Sequence, residues 1–144
     1  MAQNTSPIYT LTPNVQSDGA TAMAPTFTTA AADYTGATAT HNKIVWTAGA
    51  NGGFIARLKF KAIGTNTASV ARVFINNGSA ATTAANNSFI AEIALPATTA
   101  IATTSTVDVE LPLGFALPAG FRILVGLGTT VAAGWVCTGI GGDY

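Results

Sequence analysis

Histidine and cysteine, the residues most often used for acid–base and nucleophilic chemistry, occur once each in this chain, as His41 and Cys137. A catalytic histidine needs a partnered nucleophile or a metal, and no pattern around His41 supplies either. A reactive cysteine needs an accessible and electropositive surrounding, whereas Cys137 stands between Val136 and Thr138 in an apolar segment. We therefore predict a loop histidine, a small strand cysteine and no catalytic residue.

The acidic residues do not form a recognisable metal or hydrolase site. A usual zinc site takes three or four Cys, His or carboxylate ligands, and Asp18, Asp33 and Asp143 lack the spacing of a calcium-binding EF-hand. Asp108 and Glu110 share one face of a predicted strand, about 6.6–6.8 Å apart, which is within the range of inverting glycosidases. A flat outer face does not raise a carboxyl pKa, so we interpret this pair as solvated surface. We expect no metal and no cofactor.

The composition disfavours nucleic-acid and membrane binding and favours association with protein. Six basic and six acidic residues cancel among the 144 residues, which leaves no basic stripe to neutralise phosphates or to bind anionic lipid. Charged residues make up 8% of the chain, against about 25% in typical soluble domains. A neutral, sparsely charged surface promotes association. We therefore interpret the chain as one domain that packs against copies of itself or against a partner.

The cysteine content and the N-terminal sequence agree with assembly in a reducing cytoplasm. A single cysteine allows no intrachain disulfide. The first ten residues have neither the basic nor the apolar region of a signal peptide. The most apolar stretch, residues 115–136, contains Pro118, Arg122 and several glycines, so strands explain it better than a membrane-spanning helix does.

Residues 43–144 contain short alternating segments separated by Gly, Asn and Pro turns, a pattern typical of antiparallel strands. In the segment FIARLKFKAI, alternation predicts one inward face comprising Phe54, Ala56, Leu58, Phe60 and Ala62. Two later segments predict inward faces comprising Phe89, Ala91, Ile93 and Leu95, and Phe121, Ile123, Val125 and Leu127. Among the outward charges, Lys59 with Glu92 and Arg72 with Asp108 are possible cross-strand pairs.

Seven predicted strands after residue 43, and one from Ile8, Tyr9 and Leu11, make eight. The fold prediction is an all-β antiparallel sandwich of about eight strands, jelly-roll-like, with an immunoglobulin-like sandwich as the alternative because strand count does not fix topology. Residues 1–42 are rich in Ala and Thr and are predicted to form a partly extended N-terminal arm before a sandwich domain at 43–144. This arm would either dock on a neighbour or be a flexible terminus.

Exposed aromatic rings would suit either a sugar site or a protein interface. Trp46 lies in an apolar strand and is predicted to be core, whereas Trp135 is opposite Val136 in the alternation, which predicts an outward or interface position. The low charge favours the interface. The candidate interface residues are Ile8, Tyr9, Leu11, Tyr34, Trp135 and Tyr144.

The C-terminal sequence LPAGFRILVGLGTTVAAGWVCTGIGGDY resembles the C-terminal part of small structural proteins of tailed bacteriophages. Leu117–Gly120, Thr129–Trp135 and Gly141–Tyr144 carry the resemblance, which covers the last quarter of the chain. It implies a non-enzymatic capsid decoration (cement) protein, a jelly-roll homotrimer that binds the major capsid protein on the head surface of the virion after synthesis in the host cytoplasm. It also makes the arm a candidate for capsid contact or for exchange within the trimer.

The alternative function is a carbohydrate- or receptor-binding module of a head fibre or tail. Trp135 and Tyr34 beside open polar grooves would favour it. A small enzyme such as a cupin is a third class, which the lack of a histidine cluster disfavours.

Overall fold

The computed structural model describes residues 9–17, 26–31, 33–38 and 41–144, and these form two antiparallel β-sheets. Within these residues the helical structure is confined to one 3₁₀ turn, Ala84–Asn86. The strands are Thr12–Gln16 (β1), Thr26–Phe27 (β2), Lys43–Thr47 (β3), Gly53–Ala62 (β4), Ser69–Asn76 (β5), Asn87–Leu95 (β6), Asp108–Leu117 (β7), Arg122–Leu127 (β8) and Trp135–Asp143 (β9).

The strand order is that of a jelly roll. The first sheet has the order β1-β9-β4-β7, with β2 also paired to β9, and the second has the order β3-β8-β5-β6. Leaving aside the two-residue β2, the first, eighth, third and sixth long strands form one sheet, and the second, seventh, fourth and fifth form the other. This is the double-sheet arrangement built from two Greek keys. The predicted fold is therefore confirmed, and the immunoglobulin-like alternative is excluded by the pairing.

The core lies between the sheets and follows the alternation of the central strands. Ile123, Val125 and Leu127 of β8 are all at most 1% exposed, and Phe121 packs against them, as predicted. Leu58, Phe60 and Ala62 of β4 meet these residues from the opposite sheet. Trp46 is fully buried, as its apolar strand predicted.

Two β-bulges reverse part of the predicted alternation. The pairing of β4 shifts between Ile55 and Arg57, so Ile55 is buried in the core and Phe54 faces outward, the reverse of the prediction. A second shift lies where Phe74 pairs with Phe89, and it turns Phe89 away from the face of Ile93. A bulge inserts one extra residue, which moves every residue on one side of it to the other face.

The N-terminal segments are part of the sandwich. The first strand begins at Thr12, so the prediction that Tyr9 and Leu11 form it was wrong; Ile8 lies outside the described residues. β1 is an edge strand of the first sheet. Residues on both sides of the predicted boundary at 42/43 therefore contribute to the same two sheets.

Residues 30, 31 and 33–38 cover the outer face of the second sheet. The Ala31 N–H donates to the Leu127 carbonyl at 2.8 Å, and Gly36 packs against the Phe74 ring. A second buried set results outside the main core, formed by Phe74, Leu124 and Ala31. This segment of the predicted arm thus binds its own sandwich.

The charged side chains pair within each sheet rather than across the sandwich. Lys61 and Lys59 contact Asp108 at 2.5 and 3.2 Å, and Arg72 contacts Glu92 at 3.0 Å. The predicted pairs, Lys59 with Glu92 and Arg72 with Asp108, were wrong. Each of them joins residues on opposite sheets, whose outer faces point in opposite directions.

Candidate functional site

Asp143, the last residue of β9, joins β1 to the loop that follows β3. Its Oδ1 accepts hydrogen bonds from Asn14 Nδ2 at 2.8 Å and from the Gly49 N–H at 2.9 Å. Asn14 Nδ2 also donates to the Thr47 carbonyl at 3.0 Å, and the Trp46 indole N–H donates to the Asn14 carbonyl at 3.2 Å. The Gly141–Tyr144 ending is therefore a structural element that closes the β1–β3 side of the sandwich.

The Thr129–Trp135 segment is held by the buried Asn66. Asn66 Oδ1 accepts from the Gly134 and Ala133 N–H groups at 2.7 and 3.0 Å. Its Nδ2 donates to the Gly134 carbonyl at 3.0 Å. In the Leu117–Gly120 turn, the Phe121 N–H donates to the Pro118 carbonyl at 3.1 Å. The contacts described for all three segments that carry the resemblance thus stabilise the fold.

Three of the predicted interface residues lie together at one corner of the first sheet. Tyr9 and Tyr144 line a shallow groove of about 250 Å³ with Thr10 and Phe54, which we call the Tyr9–Tyr144 groove. Leu11 is held beside it, because its N–H donates to the Asp143 carbonyl at 2.7 Å. Tyr9 and Leu11 are 74% and 82% exposed. Alternation missed Phe54, which the β4 bulge turns outward.

Tyr34 lies on the other sheet, away from this groove. Its ring stacks on the Arg72 guanidinium, 3.9 Å from the ring centroid, and its hydroxyl accepts a hydrogen bond from Arg72 Nη2 at 3.0 Å. Phe89 meets the Tyr34 ring edge-on, with centroids 5.4 Å apart. Tyr34 is 57% exposed, so it presents an apolar surface at the β5–β6 margin while its polar atom is already bonded.

Trp135 is fully buried in the core, so the prediction that its ring faces outward or into an interface was wrong. It pairs with Ala62 of β4 and Phe27 of β2, and Trp135 and Cys137 alternate inward while Val136 faces out. Both phases of this strand are apolar, and alternation alone does not say which phase points to the core.

Cys137 and Asp108, which were considered for chemistry, have structural positions. Burial raises the pKa of the Cys137 thiol well above its usual value. Hydrogen bonds from Lys61, and then from Lys59, lower the pKa of Asp108, opposite to what a general acid at this strand face would need. His41 borders a depression of about 130 Å³ lined by Lys43 and threonines. Among the described residues, no three His, Cys, Asp or Glu side chains lie close enough to hold a metal ion.

Sequence reasoning missed an open side of the sandwich between β6 and β7. The apolar residues that touch the core but stay partly exposed come from β5, β6, β7 and the start of β8; they are Ile75, Ala91, Ile93, Val109, Leu111, Leu113, Phe115 and Phe121. Large residues of these strands and of their connections are more exposed still: Ile90, Ile63, Ile101 and Val107 are between 37% and 55% exposed. We call this surface the β6–β7 side.

Within the described part of the chain, no helix is both long and apolar enough to cross a membrane. No protein-family model, curated protein or solved structure matches the chain.

Proposed function

We propose that this chain is a non-enzymatic structural protein of a tailed-bacteriophage virion, which decorates the head by binding the lattice of the major capsid protein. The observation that carries the proposal is a charge-poor jelly roll with large apolar residues exposed at two separate places. These are the corner of the Tyr9–Tyr144 groove and the β6–β7 side. Apolar patches of this kind mark surfaces that bind protein.

Two separate patches suit a protein that must contact both its own copies and a lattice. Self-association as a homotrimer would present three identical lattice-binding patches, and multivalency strengthens weak individual contacts. A net charge of +0 and internally paired surface charges agree with recognition by packing rather than by electrostatic steering. The C-terminal resemblance supports the same assignment.

The test is binding to phage heads assembled without a decoration protein. We expect the purified chain to sediment with such heads, to saturate at a fixed ratio to the major capsid protein, and to raise the temperature at which the heads release DNA. Leu11→Lys, at an 82% exposed position, should weaken sedimentation. Thr82→Lys, exposed in the loop between β5 and β6 and not among the residues of either patch, is the matched control. Absence of saturable binding by the unmodified chain would overturn the proposal.

A carbohydrate- or receptor-binding module is the second candidate. The Tyr9–Tyr144 groove favours it, because it combines three aromatic rings with a threonine hydroxyl, and jelly rolls include lectin domains. The other proposed rings do not, since Trp135 is buried and the Tyr34 hydroxyl is bonded to Arg72. A glycan array separates the two candidates: binding to a defined glycan that Tyr9→Ser abolishes would favour this one.

A further inference from the structure

The two sides of the sandwich are closed to different degrees. At the β1–β3 side, the Asn14 and Gln16 amides donate to the Thr47 carbonyl and the Thr47 N–H donates to Gln16 Oε1, which joins the edge strands of the two sheets. Trp46 behind them is fully buried. At the β6–β7 side, β6 pairs only with β5, and β7 only with β4, among the strands that the structure describes. Inward-facing residues of β6 and β7 therefore remain partly exposed.

We propose that copies of this chain bind one another through the β6–β7 side, so that each copy completes the core of its neighbour. The inference rests on the self-association included in the proposed function and assigns the surface that carries it. The occupant is a second copy of this chain, and the exposed apolar residues and the charges both favour it.

The exposed apolar residues of this side favour a protein contact. Ile63, Ile90, Ile101 and Val107 leave between 37% and 55% of their surface exposed. The partly exposed core residues of β6 and β7 add to this surface. A standard interface buries about 800 Å² per partner, of which rather more than half is apolar. The apolar residues of the β6–β7 side are exposed for such a contact without any rearrangement.

The charges around this surface are already satisfied. Glu92 on β6 pairs with Arg72, and Asp108 and Glu110 on β7 pair with side chains of β4. The surface therefore offers no unpaired charge to an oppositely charged partner, and it complements a surface that is equally neutral. This chain, with 8% charged residues and a net charge of +0, has such a surface.

The contact is made by side chains rather than by adding a strand to an edge. A register shift places Ile90 in a bulge of β6, and β7 contains Pro112 beside its own register shift against β4. Bulges and prolines are the usual obstacles to edge-to-edge pairing. The remaining route is packing of apolar side chains into the open end of the core.

The test compares matched pairs of lysine substitutions by light scattering after size exclusion. Ile90→Lys with Ile101→Lys alters the β6–β7 side at positions 37% and 55% exposed, and Leu11→Lys with Val15→Lys alters the β1 side at positions 82% and 48% exposed. We expect the unmodified chain and the β1 variant to share a mass that is a multiple of 14.5 kDa, and the β6–β7 variant to be a monomer. Circular dichroism must show that both variants are folded.

Thiol labelling provides a readout that does not depend on dissociation. Because Cys137 is buried, a cysteine introduced by Ile90→Cys is labelled against a silent background. We expect maleimide to react with it at least about tenfold more slowly in the assembled protein than after dilution to monomer, while Val15→Cys reacts equally fast in both. A monomeric unmodified chain, or protection at position 15 and not at 90, would overturn the inference.

Binding to phage heads separates this inference from the proposed function. Self-association through the β6–β7 side without head binding would leave the inference standing and refute the function. Head binding by a chain that is monomeric in solution and on the head would do the opposite.

Discussion

Replacing Asn66 by alanine is the most direct test of how the Thr129–Trp135 segment is held. The Asn66 side chain is 3% exposed and makes five hydrogen bonds, to the backbone of Gly64, Ala133 and Gly134 and to the Thr98 hydroxyl. Asn66→Ala removes all of them and leaves the Gly134 N–H without a partner in a buried position.

The expected loss of stability follows from the groups left unpaired. A buried donor or acceptor that loses its partner costs about 1–3 kcal/mol. Two backbone N–H groups lose their acceptor at 2.7 and 3.0 Å, and water reaches one of them in part, so we expect a loss of about 3–4 kcal/mol. For a domain of this size, such a loss corresponds to a fall in Tm of about 10 °C.

Urea unfolding followed by tryptophan fluorescence measures this loss, because both tryptophans are buried. All samples need the same protein concentration, since dissociation would otherwise contribute to the midpoint. The matched control is Asn77→Ala, which removes two hydrogen bonds from an exposed turn and should cost less than about 1 kcal/mol. Equal losses for the two variants would refute the assignment of Asn66 as the anchor.

Three further predictions test other parts of the structure. Gly134→Ala should cost about 3 kcal/mol and Gly114→Ala about 1 kcal/mol in urea unfolding, because both have positive φ but only a Cβ at Gly134 would meet Thr26 and the Phe27 carbonyl. The Cys137 thiol should resist iodoacetamide at pH 8 until urea unfolds the chain, because burial raises its pKa. A hydrogen bond from Thr38 lowers the pKa of Asp33 in the folded chain, so Thr38→Val should destabilise the protein above about pH 4, with the difference shrinking as pH falls through the folded pKa.

Each of these has an outcome that contradicts it. Similar losses for Gly134→Ala and Gly114→Ala would mean that backbone strain, rather than the crowding near Thr26, sets the cost. Rapid labelling of native Cys137 would place its strand outside the core. A destabilisation by Thr38→Val that grows towards acid pH would reverse the sign required for a carboxylate stabilised in its charged form.

The strands after residue 43 were predictable because period-two alternation is a local property of an extended backbone. It located β8 and the inward phase of Ile123, Val125 and Leu127 correctly. It failed at Phe54 and Phe89, where a bulge shifts the phase. At the β4 shift the facing residues of β7 include Pro112 and Gly114, residue types that often mark a bulge within a strand, whereas no glycine or proline lies at the shift between β5 and β6.

The candidate surfaces were predictable only in part. Exposure of Tyr9, Leu11 and Tyr34 agrees with their choice as candidates, yet their grouping did not follow from the sequence. Tyr9 and Tyr144 come from opposite ends of the chain and share a groove because β1 pairs with β9. Tyr34 instead lies on the second sheet, because its ring stacks on Arg72 of β5.

By itself, the sequence determined an all-β domain with turns at its glycines and asparagines and a sparsely charged surface, and it contained no recognisable catalytic or metal-binding motif. These features follow from composition and from the alternation of apolar and polar residues, which are properties of short segments. Only the tertiary structure decided that Trp135 points inward, that Asp143 fastens β1 to the loop at Gly49, and that the β6–β7 side stays open. These features depend on which distant strands become neighbours. Pairing and burial across the two sheets are properties of the folded chain, set by packing that no local pattern records.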